Sequence, residues 1–308
     1  MAGTVRITDV SPRDGLQNEE GAIATSEKVR LVKLLCAADV DEVEVSSFVS
    51  SRWVPQLGDA AEVFAALADD ASLRERRPVF SALVPNEKGM NAALEVNQRA
   101  ARRLLDKVSV FTAASETFSR RNTNASIDET VERFRPVVAA GRRHGLAVRA
   151  YISCAIACPF EGPVQPAAVA RVVEKLATLR DQGDIAEIDL GDTIGAGTPE
   201  SIRAMLDAVL TTAAAHLPSA AITLHLHDTF GRAASCVVEA LTMGIRSFDG
   251  AAGGLGGCPY ASTSTAKAPG NIATELLVST IRDAGFTTTV SGERLAEAGS
   301  FARSLKTS

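Results

Sequence analysis

Residues 221–228 read AITLHLHD, in which Thr223, His225 and His227 alternate with Leu224 and Leu226. Alternation of period two belongs to a β-strand, so both leucines fall on one face and the threonine and the two imidazoles on the other. Such a strand suits the wall of a closed barrel, with leucines against an outer helix layer and histidines toward the interior. Seven further β-branched or alternating runs share the chain: VRITDV from 5, DEVEVSS from 41, RPVFSALVP from 77, KVSVFTA from 107, AVRAYISC from 147, EIDLGDT from 187 and SFDGAAGG from 247. The segments between them carry helical spacing. After Thr198 and Pro199, residues Ile202, Met205, Leu206 and Val209 recur at i, i+3, i+4 and i+7; after Thr25 and Ser26, Val29, Val32 and Cys36 share one face.

Eight strands alternating with helices predict an α/β protein, a single (β/α)8 TIM barrel over about 5–285 with a short helical C-terminal extension over 286–308. A doubly wound open sheet is the runner-up. Against it, the first strand runs into SPRDGLQNE rather than a glycine-rich phosphate fingerprint.

Composition bounds the function. A chain of 308 residues that is 46% hydrophobic and 22% charged can bury a large core. The formal net charge of −5 argues against general nucleic-acid affinity. Five cysteines (Cys36, Cys154, Cys158, Cys236 and Cys258) form no framework, which fits free thiols in a reducing compartment. The opening MAGTVRITDV lacks a leader's basic and apolar segments, and no apolar run approaches the ~20 residues of a membrane span. The expected location is the cytoplasm, with no membrane partner.

Two histidines at i and i+2 near the C-terminal end of a barrel strand can offer two nitrogens to one metal ion. The ordinary reading is a pair of polar core residues, but the chain has four histidines in all, and the concentration here favours metal. Hard divalent ions such as Mg2+ or Mn2+ also want oxygen, and Asp14, after Arg13 at the end of the first strand, is placed to supply it. An RDG triplet alone reads as an Asx-held turn. Glu44 shares a face with Glu42, Arg149 and Tyr151 alternate with apolar neighbours, and Asp192 ends the sixth strand. Polar groups at the ends of five strands match the layout of a barrel active site better than a scatter of surface ion pairs. After the eighth strand, GGLGGCPYA sets Cys258 on a glycine-rich loop suited to proton exchange with a substrate. For Cys36 and Cys236 a buried structural thiol is the expectation, and the Cys154/Cys158 pair lacks the partners of a zinc site. Asn271 precedes an apolar-striped helix carrying Leu277, Val278 and Ile281, and reads either as a helix cap or as a metal-ligating carbonyl.

Together PRDGLQNE from 12, SSFVSSRWVPQLGDA from 46, CPFEGP from 158, LGDTIGAGTP from 190, HLHDTFG from 225 and GLGGCPYA from 254 resemble the 3-hydroxy-3-methylglutaryl-CoA lyases. These belong to a metal-dependent barrel superfamily that also contains isopropylmalate and homocitrate synthases. The resemblance runs from about 5 to 300, and the cysteine loop and HxHDT form favour the lyases. It implies that Asp14, His225, His227 and Asn271 bind Mg2+ or Mn2+, that Arg13 faces the thioester carbonyl, and that Glu44 and Asp192 belong to a surrounding acid network. It further implies Cys258 as the proton carrier, Gln17 and Tyr151 as substrate contacts, and retro-Claisen cleavage of an acyl-CoA substrate to acetyl-CoA and acetoacetate. Barrels of this kind often pair through outer helices, so a homodimer is the expected assembly. Arg52, Arg120 and Arg121 are the candidates for CoA phosphates. The PYASTSTAKAPG segment between Cys258 and Asn271 is longer than the usual family spacing, and Leu276 stands where many relatives carry an acid.

Overall fold

The computed structural model describes residues 3–19, 21–73, 78–100, 102–179, 185–213, 218–256 and 270–306, and the backbone of 180 and 181. Eight parallel strands close into a barrel: β1 (Arg6–Asp9), β2 (Glu42–Ser47), β3 (Val79–Leu83), β4 (Lys107–Ala113), β5 (Ala147–Ser153), β6 (Glu187–Asp192), β7 (Ile222–Leu226) and β8 (Ser247–Gly250). Each strand pairs with its neighbours in sequence, and β8 closes on β1 with Thr8 opposite Asp249. A short antiparallel ribbon, Ala157–Cys158 with Gly162–Pro163, follows β5.

Ten helices surround the barrel among the described residues: α1 (Thr25–Ala37), α2 (Ala60–Asp69), α3 (Glu87–Arg99), α4 (Glu116–Thr123), α5 (Ile127–His144), α6 (Pro166–Ala177), α7 (Pro199–Ala213), α8 (Ala233–Thr242), α9 (Thr274–Asp283) and α10 (Gly292–Ser304). Local sequence starts and stops them. Ser126 caps α5 in a reciprocal pair with Glu129, and Gly145, at φ +66°, ends it. The expected stripe of Ile202, Met205, Leu206 and Val209 is the buried face of α7. The tail helix α10 packs on α1 and on the turn that follows β8. In α1 the buried face is Lys28, Leu31, Val32 and Leu35, one residue round from the expected Val29, Val32 and Cys36. Lys28 shifts it: its aliphatic stem is buried while its ammonium reaches Asp59 Oδ1 at 2.7 Å.

One continuous apolar core lies between strands and helices, with Val43, Val45, Ile188, Leu190, Leu224 and Leu226 facing outward into it. The barrel interior is charged instead, where aliphatic layers are usual. At its floor Lys107 Nζ donates to Glu42 Oε2 at 2.5 Å and Glu187 Oε2 at 2.7 Å, and Arg6 pairs with Glu187 at 2.6 Å. Above them the fully buried Arg149 reaches Glu187 at 2.6 Å, Asp249 at 3.1 Å, Asp189 at 3.3 Å and Thr8 Oγ1 at 3.0 Å. Burial alone would push the Glu187 carboxyl up; Arg149, Lys107 and Arg6 hold it well below the usual range.

Candidate active site

At the C-terminal mouth, β1 runs into a π-helical turn, Ser11–Gly15, in which the carbonyl of Val10 accepts the N–H groups of Arg13 (3.2 Å), Asp14 (2.8 Å) and Gly15 (3.1 Å). Asp9 anchors this turn from below. Its Oδ1 accepts from Ser11 N (2.9 Å) and Ser11 Oγ (2.5 Å), while its Oδ2 accepts from Ala252 N (3.0 Å) and Thr274 Oγ1 (2.6 Å). One carboxylate thus ties the ends of β1 and β8 to α9.

The turn delivers Arg13 and Asp14 to the mouth. Arg13 Nε donates to Glu44 Oε2 at 2.5 Å and its Nη1 to Asp14 Oδ1 at 2.6 Å, so the aspartate faces the site instead of closing an Asx turn. Asn271 Nδ2 donates to Asp14 Oδ2 at 2.8 Å and to the Leu255 carbonyl at 3.1 Å. Asn271 is not the cap of α9, because Ala273 occupies that position. Across the mouth His225 Nε2 lies 3.9 Å from Asp14 Oδ2, and the two imidazole centroids are 5.4 Å apart.

The imidazoles are held differently. His225 Nδ1 is 3.3 Å from Asp249 Oδ2, whereas His227 Nδ1 is 2.7 Å from the Thr193 carbonyl. A carbonyl only accepts, so Nδ1 of His227 carries hydrogen and its buried Nε2, which has no hydrogen-bond partner, presents a lone pair. Burial, then the neighbouring His225, lowers the His227 pKa to about 4, leaving it neutral near pH 7. Burial disfavours a charged His225, but Asp249 and Asp14 outweigh it and raise its pKa. Burial pushes Asp14 up; Arg13, His225 and His227 more than reverse this and hold it well below the usual carboxylate range.

Ligand atoms of Asp14, His225 and His227 all lie within 4.8 Å of one another. One ionised carboxylate, two imidazoles and a side-chain amide fit a borderline-hard divalent cation, and the buried His227 Nε2, with no hydrogen-bond partner, has the lone pair such an ion would accept. A second cluster, Asp189, His225 and Asp249, sits deeper. There the Arg149 guanidinium already supplies the positive charge.

Tyr151 closes the network beneath Arg13, its hydroxyl 3.2 Å from Glu44 Oε2, 3.3 Å from Asp249 Oδ2 and 3.1 Å from Arg149 Nη1. Gln17 is half-buried just after the π-helical turn. Asp192, expected among the acids of the mouth, turns away from it. Its carboxylate accepts Ala196 N at 3.0 Å and Gly197 N at 2.7 Å, holding the loop whose Thr193 carbonyl fixes His227; burial, opposed by those amides, raises its pKa to about 6. Arg120 pairs with Glu116 at 3.9 Å and Arg121 lies over the Phe160 ring at 4.1 Å, and Arg52 is exposed. Cys258 lies outside the described residues. The loop leading to it bends through Gly253, Gly254 and Gly256 at positive φ. Sequence reading overlooked Asp9, Asp189 and Asp249, although alternation from Ser247 in SFDG already turned Asp249 inward.

With this geometry in place, comparison with known proteins decides the family. The HMGL-like family model matches residues 4–301. The chain belongs to the HMGL-like family. It is 42% identical to "Hydroxymethylglutaryl-CoA lyase, mitochondrial" of Bos taurus over 297 residues, covering 96% of this chain and 84% of that one. It is 44% identical to "3-hydroxy-3-isohexenylglutaryl-CoA/hydroxy-methylglutaryl-CoA lyase" of Pseudomonas aeruginosa over 296 residues, covering 96% and 90%. The crystal structure of the HMG-CoA lyase from Brucella melitensis superposes with a TM-score of 0.87 at 42% identity, covering 99% of both chains.

Proposed function

We propose that the protein is a carbon–carbon lyase that cleaves 3-hydroxy-3-methylglutaryl-CoA to acetyl-CoA and acetoacetate. The observation that carries this reading is the convergence of Asp14, His225, His227 and Asn271 beside the Arg13–Glu44 pair at the barrel mouth, in a family whose relatives share the fold along nearly the whole chain. Asp14, His225, His227 and the amide oxygen of Asn271 would hold Mg2+ or Mn2+. When bound, the cation supplies Lewis-acid polarisation of the tertiary hydroxyl and a carboxylate oxygen of the substrate.

The protein's own groups do the rest. Glu44, with Oε1 lacking a hydrogen-bond partner, is the acceptor we assign for the hydroxyl proton. The bond between the hydroxyl-bearing carbon and the carbon next to the thioester then breaks. The first carbon becomes the ketone of acetoacetate, and the electron pair passes into a thioester enolate. Arg13, fixed by Glu44 and Asp14 before substrate arrives, faces this developing charge without reorganising, which stabilises the transition state more than the ground state. Protonation of the enolate carbon by the Cys258 thiol releases acetyl-CoA. These are products of the kind formed in leucine degradation and ketone-body formation. We place the enzyme in the cytoplasm: the four described cysteines are free thiols, which suits a reducing compartment. No helix among the described residues is long and apolar enough to cross a membrane.

The test is product analysis with purified protein and 3-hydroxy-3-methylglutaryl-CoA beside esters with a longer 3-alkenyl chain. Equimolar acetyl-CoA and acetoacetate from the methyl substrate, at the higher kcat/KM, is the expected result. Turnover confined to the longer esters would contradict the substrate assignment.

A further inference from the structure

We infer that Asp249 is a positioning residue for the metal site, directing the Nε2 atom of His225 to the cation from behind. This rests on the reading above that a divalent cation sits between Asp14 and the two histidines.

The register of parallel β7 and β8 places Asp249 directly beside His225, and both side chains turn into the barrel. Asp249 Oδ2 meets His225 Nδ1 at 3.3 Å, and Nε2 on the opposite edge points across the mouth at Asp14. A carboxylate behind an imidazole accepts its Nδ1 hydrogen, leaves Nε2 as the lone-pair atom and makes that nitrogen a stronger donor to metal. The carboxylate can do this only while it is held still and ionised. Arg149 Nη1 reaches both its oxygens at 3.1 Å, and the Tyr151 hydroxyl is 3.3 Å from Oδ2.

Asp249 and Asp189 both touch the Arg149 guanidinium, yet only Asp249 touches an imidazole. That difference separates positioning from plain structural support. Mn2+ affinity, measured by calorimetry on substrate-free protein, is expected to fall 10–100-fold in Asp249→Asn and to stay within about threefold of the parent in Asp189→Asn. Equal losses in both variants would overturn the inference. Absence of Mn2+ binding by the parent protein would instead overturn the metal reading on which it rests. Should Asp249→Asn fail to fold, 15N NMR of histidine-labelled parent protein loaded with Mg2+ decides. Hydrogen on Nδ1 of His225 is the expected state, and hydrogen on Nε2 contradicts the proposal.

Discussion

At the scale of single residues the site consists of charges that fix one another. Arg13 is buried between Glu44 and Asp14, so truncating it to alanine does two things at once: it removes the cation we propose to face the enolate and strands a buried carboxylate, at a cost of about 3–5 kcal/mol in stability. Arg13→Lys separates these effects. It retains a charge for Glu44 but loses the planar fork, so kcat should drop by about 100-fold or more while thermal unfolding stays within a few degrees of the parent. A kcat within threefold would remove Arg13 from the chemistry. Asp9 supplies a pH signature. Burial, although opposed by its hydrogen bonds from Ser11 and Thr274, raises its pKa from 3.8 to about 6, so the folded state holds this proton more tightly than the unfolded chain. The contribution is fully present below about pH 4 and is lost as pH rises through about 6. Denaturant unfolding of the parent relative to Asp9→Asn should accordingly show the parent's advantage shrinking across that window by up to about 3 kcal/mol. A difference independent of pH would show that Asp9 has no raised pKa.

At the scale of elements, the glycine turn after β8 and the π-helical turn after β1 meet over Asn271. A Cβ on Gly256, whose φ is +92°, would lie 2.5 Å from Asn271 Nδ2, so Gly256→Ala must displace that amide. Mn2+ affinity should fall about tenfold with an unfolding penalty of about 1–3 kcal/mol, the range for a strained backbone position. Unchanged affinity would take Asn271 out of the metal site. How far the elements were legible follows the same physics. All eight barrel strands were readable because alternation and β-branching are local properties of a chain, and HLHD disclosed its inward face directly. What escaped depends on neighbours distant in sequence. The α1 face shifted because Lys28 finds Asp59 on the adjoining segment. At Asn271 the cap reading falls because Ala273 takes that position, and only the turn from β1 brings Asp14 against the amide. Asp192 is different: counting alternation from Glu187 turns it outward, so its place on the loop amides was written in the strand itself.

At the scale of the whole molecule, the barrel interior is a ladder of ion pairs from floor to mouth. The floor carries no reacting group, so it offers a test of stability apart from catalysis. Replacing Lys107 with methionine leaves Glu42 and Glu187 facing each other around a lost cation, and should cost about 3–5 kcal/mol in unfolding free energy while kcat of the folded protein remains close to the parent's. A stable variant with impaired kcat would mean that the floor is coupled to the site. The central claim, that this ladder ends in a metal-dependent carbon–carbon lyase site, is tested most directly by acetyl-CoA release from 3-hydroxy-3-methylglutaryl-CoA. The assay is run on protein stripped with chelator and again after Mg2+ or Mn2+ is restored. The account predicts no release from stripped protein and recovery with either ion; undiminished release after stripping would contradict it.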